Sequence, residues 1–280
     1  MKPLCIYHAN CMDGFAAAWI AMEADQLQGG THEYVPHQYG QPFDPSVCEG
    51  RLVYLLDYSF KLPVMQEIQR RSSALIVIDH HKTAEAEIKP LIPREGKDYF
   101  KFDMERSGAG LAWDYFFGGQ VPELIRHIED RDLWRFAMPN TEAVMDCVAS
   151  CPYTFEAYSD MSRAFASPTG RQRMIDEGLA IGRYKAQQVA TSVSQAREVE
   201  LDGHKVLAVN MSVANLLSQI AGELSKGRPL GLVYFQAKEG HWVYSLRSQE
   251  DGIDVSELAK AHGGGGHKHA AGFQSEKLIL

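Results

Sequence analysis

The chain has 280 residues, 45% of them hydrophobic and 23% charged, with a formal net charge of −8. That length supports one large cored domain or two modest ones, and the composition is that of an ordinary globular protein. The acidic total argues against a surface that tracks long nucleic acid, because that affinity rests on neutralising phosphates with a basic face.

A short phosphate ligand, gripped locally or through metal ions, remains compatible with this charge. No apolar run is long enough for a membrane span, and the opening "MKPLCIYHAN" has too short an apolar core for a signal peptide. Five cysteines without a CxxC pair read as reduced thiols, so a cytoplasmic protein is expected.

In chain order, three short runs share one design. Residues 3–7, "PLCIY", end at His8; residues 51–56, "RLVYLL", end at Asp57; residues 74–78, "ALIVI", end at Asp79. Near-continuous apolar runs of this length read as strands buried on both faces. Residues 15–24 and 64–71 between them have helical composition and spacing. Alternating strands and helices predict an α/β fold with a parallel sheet. Ligands of such sheets bind beyond the carboxyl ends of the strands, which would bring His8, Asp57 and Asp79 to one edge.

Further on, "SGAGLAWDYFFGG" predicts a helix capped by Ser107, and "VPELIRHIEDRDLW" predicts another that leads to Asp130 and Asp132. Residues 171–197 hold strong helix formers and no proline, as a long joining helix would. The last eighty or so residues change character. "KVLAVNM" reads as a strand and "VANLLSQIAGELSKG" as a helix. "PLGLVYFQAKEGHWVYSLRS" reads as a hairpin turning at Glu239-Gly240, and "VSELAKAHGGGGHKHAAGF" as a helix running into a glycine loop.

His8 and Asp13 flank a turn between a strand and a helix, and each alone would pass for a loop residue and a helix cap. Three polar strand tips with metal-ligand side chains are harder to assign to solvation. Clustered carboxylates repel unless a cation neutralises them, and two divalent ions about 4 Å apart, bridged by one aspartate, would meet that need. Carboxylate-rich sites favour manganese or magnesium over zinc. In the glycine run, Gly263, Gly264, Gly265 and Gly266 remove four side chains before His267. Their backbone N–H groups can approach an anion, so the run is a candidate phosphate- or base-binding loop, with Arg247 and His267 beside it and His269 and Lys268 as weaker candidates.

Taken together, "DHH" behind an apolar strand, His8 and Asp13 before it, Asp57 between, and "EDRDLW" after it resemble the DHH phosphoesterase superfamily. The stretch "SLRS…DVSELAKAHGGGGHKHAAGF" resembles the DHH-associated C-terminal domain of RecJ exonucleases, nano-RNases and cyclic-dinucleotide phosphodiesterases. The resemblance implies two Mn²⁺ ions, with Mg²⁺ as the alternative, held by His8, Asp13, Asp57, His80 and Asp130. Asp57 would be the bridging ligand, Asp79 would ligate or orient the site, and His81 would contact the scissile phosphate. Asp130 fits the later aspartate better than Asp132, since Trp134 follows it four residues on.

The implied layout is a catalytic domain over 1–170, a linker helix over 171–198 and a substrate-binding domain over 199–280. The implied activity is hydrolysis of short oligonucleotides or related nucleotides by metal-activated water. The alternatives are action on a cyclic dinucleotide, a nucleotide monophosphate or a phosphoanhydride, and a non-catalytic nucleotide-binding role. One departure stands out. Family members often carry two aspartates in the first motif, whereas His8-Ala-Asn10-Cys11-Met-Asp13 has one. Asn10 is a candidate replacement or a shaper of the loop, and Cys11 is placed to approach a metal but reads first as a packed thiol.

Overall fold

Five strands, β1 (Leu4–His8), β2 (Glu33–His37), β3 (Leu52–Leu56), β4 (Ala74–Asp79) and β5 (Tyr99–Phe102), form a wholly parallel sheet in the order β2-β1-β3-β4-β5. The computed structural model describes residues 1–213 and 216–280. Successive strand residues point to opposite faces, and here both faces are covered. Cys5, Tyr7, Tyr54, Leu56, Ile76 and Ile78 share one core with α1 (Met12–Gln28), α4 (Gly108–Phe116), α5 (Glu123–Asp132), α6 (Thr141–Ser150) and α7 (Phe155–Phe165). Leu4, Ile6, Val53, Leu55, Leu75 and Val77 share the other with α2 (Leu62–Arg71), α3 (Lys82–Ile88) and a 3-10 turn at Pro45–Cys48. Burial on two faces explains why these strands read as unbroken apolar runs. Each fully buried Leu or Ile stabilises the sheet by about 2 kcal/mol relative to exposure.

The chain divides into two units, Met1–Ile181 and Gly182–Leu280. Helix α8 (Pro168–Ser194) runs from the first into the second. It begins at Pro168, three residues before the expected start, since proline's fixed φ suits a first helical turn.

In the second unit, β6 (Arg197–Leu201), β7 (His204–Asn210), β8 (Gly231–Gln236), β9 (Trp242–Arg247), β10 (Gly265–His267) and β11 (Ala270–Ser275) form a mixed sheet in the order β10-β11-β9-β8-β7-β6. Only β7 and β8 pair in parallel. One face packs on α10 (Val255–Ala261) through Leu232, Tyr244 and Phe273; the other packs on α9 (Leu217–Leu224) through Val209 and Val233. The helix expected at "VANLLSQIAGELSKG" includes Ala214 and Asn215, which lie outside the described residues; its ordered part is α9. The hairpin turns at Gly240, whose φ of 97° favours glycine.

The glycine run is not wholly a loop. Gly265–His267 is an edge strand paired antiparallel with β11. Among the described residues, no helix is long and apolar enough to cross a membrane.

Candidate metal centre

The parallel strands deliver their C-terminal tips to one edge. His8 ends β1, Asp79 ends β4, and Asp57 follows β3. The Asp57 N–H still donates to the Ile78 carbonyl, 2.8 Å away, but its φ of 54° turns the chain out of the strand. Aspartate tolerates that left-handed conformation better than most residues. Two glycines let neighbouring segments close on this point. A Cβ on Gly14 would lie 2.5 Å from the His8 carbonyl oxygen, and one on Gly108 would lie 2.5 Å from the Asp57 Cβ. Asp13, in the first turn of α1, accepts from the backbone N–H groups of Gly108 (2.6 Å) and Ala109 (3.0 Å). The carboxylate thus holds the N-terminal turn of α4, where the helix dipole favours a negative charge.

At the centre stands Asp57, only 1% exposed. His8 Nδ1 lies 3.3 Å from its Oδ2, and His80 Nε2 lies 3.1 Å from its Oδ1. His80 Nε2 also lies 3.4 Å from Asp132 Oδ2 and 3.8 Å from Asp13 Oδ2. Candidate donor atoms fall within 4.8 Å of one another in three groups: His8, Cys11 and Asp57; Asp57, His80 and His81; Asp13, His80 and Asp132. Asp57 belongs to two of these groups, as a bridging carboxylate would.

Asp79 behaves differently. One oxygen accepts the backbone N–H groups of His80 (2.7 Å) and His81 (3.1 Å) and faces His81 Nδ1 at 2.7 Å. The other accepts the Ser59 hydroxyl at 2.6 Å. With both oxygens engaged, Asp79 fixes the His81 ring and its tautomer. The rings of His8 and Tyr39 surround that imidazole, with centroids 5.8 and 6.2 Å from it.

The charges strain against one another. Burial, then the carboxylates of Asp57 and Asp132, push Asp13 well above the usual carboxylate range. Burial pushes Asp132 up as well, with Asp57 adding to it. For Asp57, burial is outweighed by the imidazoles of His8, His80 and His81, which hold the carboxyl down to about 2. Burial likewise opposes the charge on His80, yet the surrounding carboxylates raise it to about 9. One atom is left over: Asp57 Oδ1 is buried and, although His80 Nε2 stands 3.1 Å away, it receives no well-aligned hydrogen bond among the described residues. Buried acceptors are normally paired. An orphaned carboxylate oxygen among carboxylates and imidazoles is what a divalent cation would complete, so the residues present fit a metal. A cavity of about 440 Å³ beside Asp25, His32 and Tyr115 shares no residue with this cluster.

Of the residues expected to hold metal, the fold brings together His8, Asp13, Asp57 and His80. It does not bring Asp130 to them. Asp130 is 5% exposed, and its oxygens accept from Ala137 N (2.8 Å), Met138 N (3.1 Å) and Thr141 Oγ1 (2.6 Å). It clamps the loop after α5, while Asp132 reaches the cluster. Cys11 also reaches it, the less favoured of the two roles its sequence position left open.

In the second unit, His267 pairs with Ala270, which in turn pairs with Arg247. The two expected binding residues therefore share one transverse row and one face of the sheet. Arg247 donates to the Leu246 carbonyl (2.7 Å) and the Ser218 hydroxyl (2.6 Å). Close packing already accounts for two of the glycines. A Cβ on Gly264 would lie 2.2 Å from the Gly272 carbonyl oxygen, and one on Gly266 would lie 2.5 Å from that of Ala270.

Comparison with known proteins bears on both units. Residues 203–279 match the DHHA1 domain family, and the first unit carries the Asp-His-His tripeptide at its candidate metal cluster. The DHHA1 match covers the second unit. The fold agrees with that of solved proteins over nearly all of this chain. It matches exonuclease RecJ bound to manganese at 16% identity and a TM-score of 0.53, covering 98% of this chain and 86% of the other. It matches a DHH domain from a protein described as a member of the S1p family of ribosomal proteins at 13% identity and 0.53, covering 98% and 82%. It also matches the pGpG-specific phosphodiesterase PggH from Vibrio cholerae at 12% identity and 0.50, covering 98% and 93%. At these identities the likeness is one of fold. A curated relative, an uncharacterized protein of Acanthamoeba polyphaga mimivirus, is 27% identical over 292 residues. The match covers 96% of this chain and 66% of that protein's length.

Proposed function

We propose that this chain is a DHH-type, divalent-metal-dependent phosphohydrolase that cleaves phosphodiester bonds in short oligonucleotides or related nucleotides. The observation that carries this reading is Asp57, buried between three imidazoles with one oxygen that receives no well-aligned hydrogen bond. His8 and Asp57 would hold one ion; Asp13, His80 and Asp132, again with Asp57, would hold the other, with Mn²⁺ expected at this oxygen-rich group. Such ions polarise a phosphoryl oxygen and bring the pKa of water from 15.7 toward about 7.

The chain's own residues supply orientation and charge. Asp57 keeps its negative charge across the neutral range because the neighbouring imidazoles hold its pKa to about 2. Asp79 steers His81. Burial works against charge on that ring, but Asp79 and Asp57 raise it overall, so His81 can carry a proton to the phosphate or to the leaving oxygen. Arg247 and His267, on one row of the second sheet, and the backbone of residues 263–266 would hold a phosphate or base.

A nucleotide is favoured over a bare phosphoanhydride by Trp134. Its ring is 72% exposed and stands two residues from Asp132, with the Arg131 guanidinium 5.8 Å from its centroid. An exposed indole within about 7 Å of backbone from a metal ligand is a stacking surface for a base. The test is a panel of dinucleotides, longer oligomers, cyclic dinucleotides and nucleotide monophosphates, assayed with Mn²⁺ and with chelator. Hydrolysis that is unchanged in chelator would remove the metal from the account. Turnover of cyclic dinucleotides or monophosphates alone would move the substrate assignment to them.

A further inference from the structure

The first motif is short of acids, and the structure shows what stands in the gap. Asp13 groups with His80 and Asp132, so the His8 side of the centre has a single carboxylate, Asp57, which also serves the His80 side. Cys11 supplies a third donor there: its sulfur, a His8 nitrogen and an Asp57 oxygen lie within 4.8 Å of one another. Cys11 precedes α1 in extended backbone (φ −119°, ψ 132°), the N-cap position. Burial, then the carboxylates of Asp57 and Asp13, push its thiol up, and the Gly14 backbone N–H opposes that shift. It is not paired in a disulfide. The buried Asp57 carboxylate turns Oδ2 to His8 Nδ1, 3.3 Å away, and its other oxygen, Oδ1, faces His80.

We infer that Cys11 is a metal ligand, and that His8, Cys11 and Asp57 form a soft three-ligand position preferring Zn²⁺ or Co²⁺ to Mn²⁺ and Mg²⁺. Thiolate and imidazole donors select the softer ions, whereas carboxylate oxygens suit Mn²⁺ and Mg²⁺. Three protein ligands with a fourth position open is also the pattern of a catalytic zinc site. The Asp13–His80–Asp132 group, with two carboxylates and one imidazole, is the harder of the two. The centre is therefore asymmetric, with a thiolate-bearing ion on one side of Asp57 and an oxygen-bound ion on the other. Coordination replaces the S–H bond with a sulfur–metal bond and releases the proton to water.

This inference rests on reading the cluster as a metal centre, and its test needs no substrate. Full-length protein, stripped of metal, is titrated with Co²⁺ and followed by near-ultraviolet absorption. The wild type is expected to show thiolate-to-cobalt charge transfer, and Cys11→Ser and Cys11→Asp to lack it. Competition against a zinc indicator is expected to show at least a tenfold loss of Zn²⁺ affinity in Cys11→Ser. Mn²⁺ affinity in Cys11→Asp is expected to equal or exceed that of the wild type. Circular dichroism establishes that each variant is folded, and the wild-type band is itself a positive result that needs no variant. Absence of the band in the wild type, its persistence in Cys11→Ser, or equal Zn²⁺ affinities would overturn the inference. If the band is present but no phosphodiester is hydrolysed, the thiolate ligand stands and the proposed activity falls.

Discussion

Exchanging the fates of two neighbouring aspartates offers a sharp test of how the first unit is built. Asp130 accepts two backbone N–H groups and the Thr141 hydroxyl at 2.6–3.1 Å. Its main-chain carbonyl also accepts from Arg135 N at 2.9 Å. The loop it closes carries three non-glycine residues at positive φ, namely Trp134 (56°), Phe136 (47°) and Asn140 (66°), each of which costs of order 1 kcal/mol to hold. Asp130→Ala strips three side-chain hydrogen bonds from that strained loop. At about 1 kcal/mol each the loss is about 3 kcal/mol, or roughly 6–12 °C in Tm for a domain of this size. Asp132→Ala removes a carboxylate that is already crowded by its neighbours, so metal-free Tm is expected to stay within about 2 °C. The assay is thermal unfolding in chelator, followed by Mn²⁺ titration of both variants. Asp130→Ala is expected to melt early and still bind metal; Asp132→Ala should melt normally and bind at least tenfold more weakly. The reverse pattern would refute this division of roles.

Two further outcomes follow from other residues. Asp98 accepts from Arg94 N (2.8 Å), Leu75 N (2.9 Å) and Gln69 Nε2 (2.8 Å), besides pairing with the Arg94 guanidinium. Burial raises its pKa, but these partners more than offset that and leave it below the usual value. A depressed carboxylate stabilises the fold above its unfolded pKa of about 3.9 and loses that contribution as pH falls through the folded value. Asp98→Asn should therefore lower Tm at pH 7, with a difference from the wild type that shrinks below about pH 4; a constant difference across that range would contradict the assignment. Trp134→Ala should raise KM for a dinucleotide by about tenfold with little change in kcat, and Trp134→Phe should recover most of it; unchanged KM would deny the stacking role.

Legibility in the sequence followed burial. β1, β3 and β4 were plain because both of their faces are covered, so every residue is apolar until the functional tip. β2, "EYVPH", was not, since it is an edge strand with Pro36 and exposed residues. β10 was hidden because glycines carry no strand signal, although β11 packs too closely to admit side chains at Gly264 and Gly266. The tips themselves were readable one by one, and topology alone brought them together. The choice between Asp130 and Asp132 was not readable. It depends on how α5 presents its last turn, on which Asp130 faces the loop and Asp132 faces His80. For Cys11 the sequence left two roles open, a packed thiol or a neighbour of the metal, and only its distance to His8 and Asp57 separates them.

The central claim is that Asp57 joins metal ions into a phosphodiester-cleaving centre. It is tested most directly by the hydrolysis rate of a short oligonucleotide with Mn²⁺, with chelator, and in Asp57→Asn. The account predicts metal-dependent turnover in the wild type, none above background in chelator, and a loss of at least about a hundredfold in a folded Asp57→Asn. Equal rates in chelator, or full activity in Asp57→Asn, would contradict it.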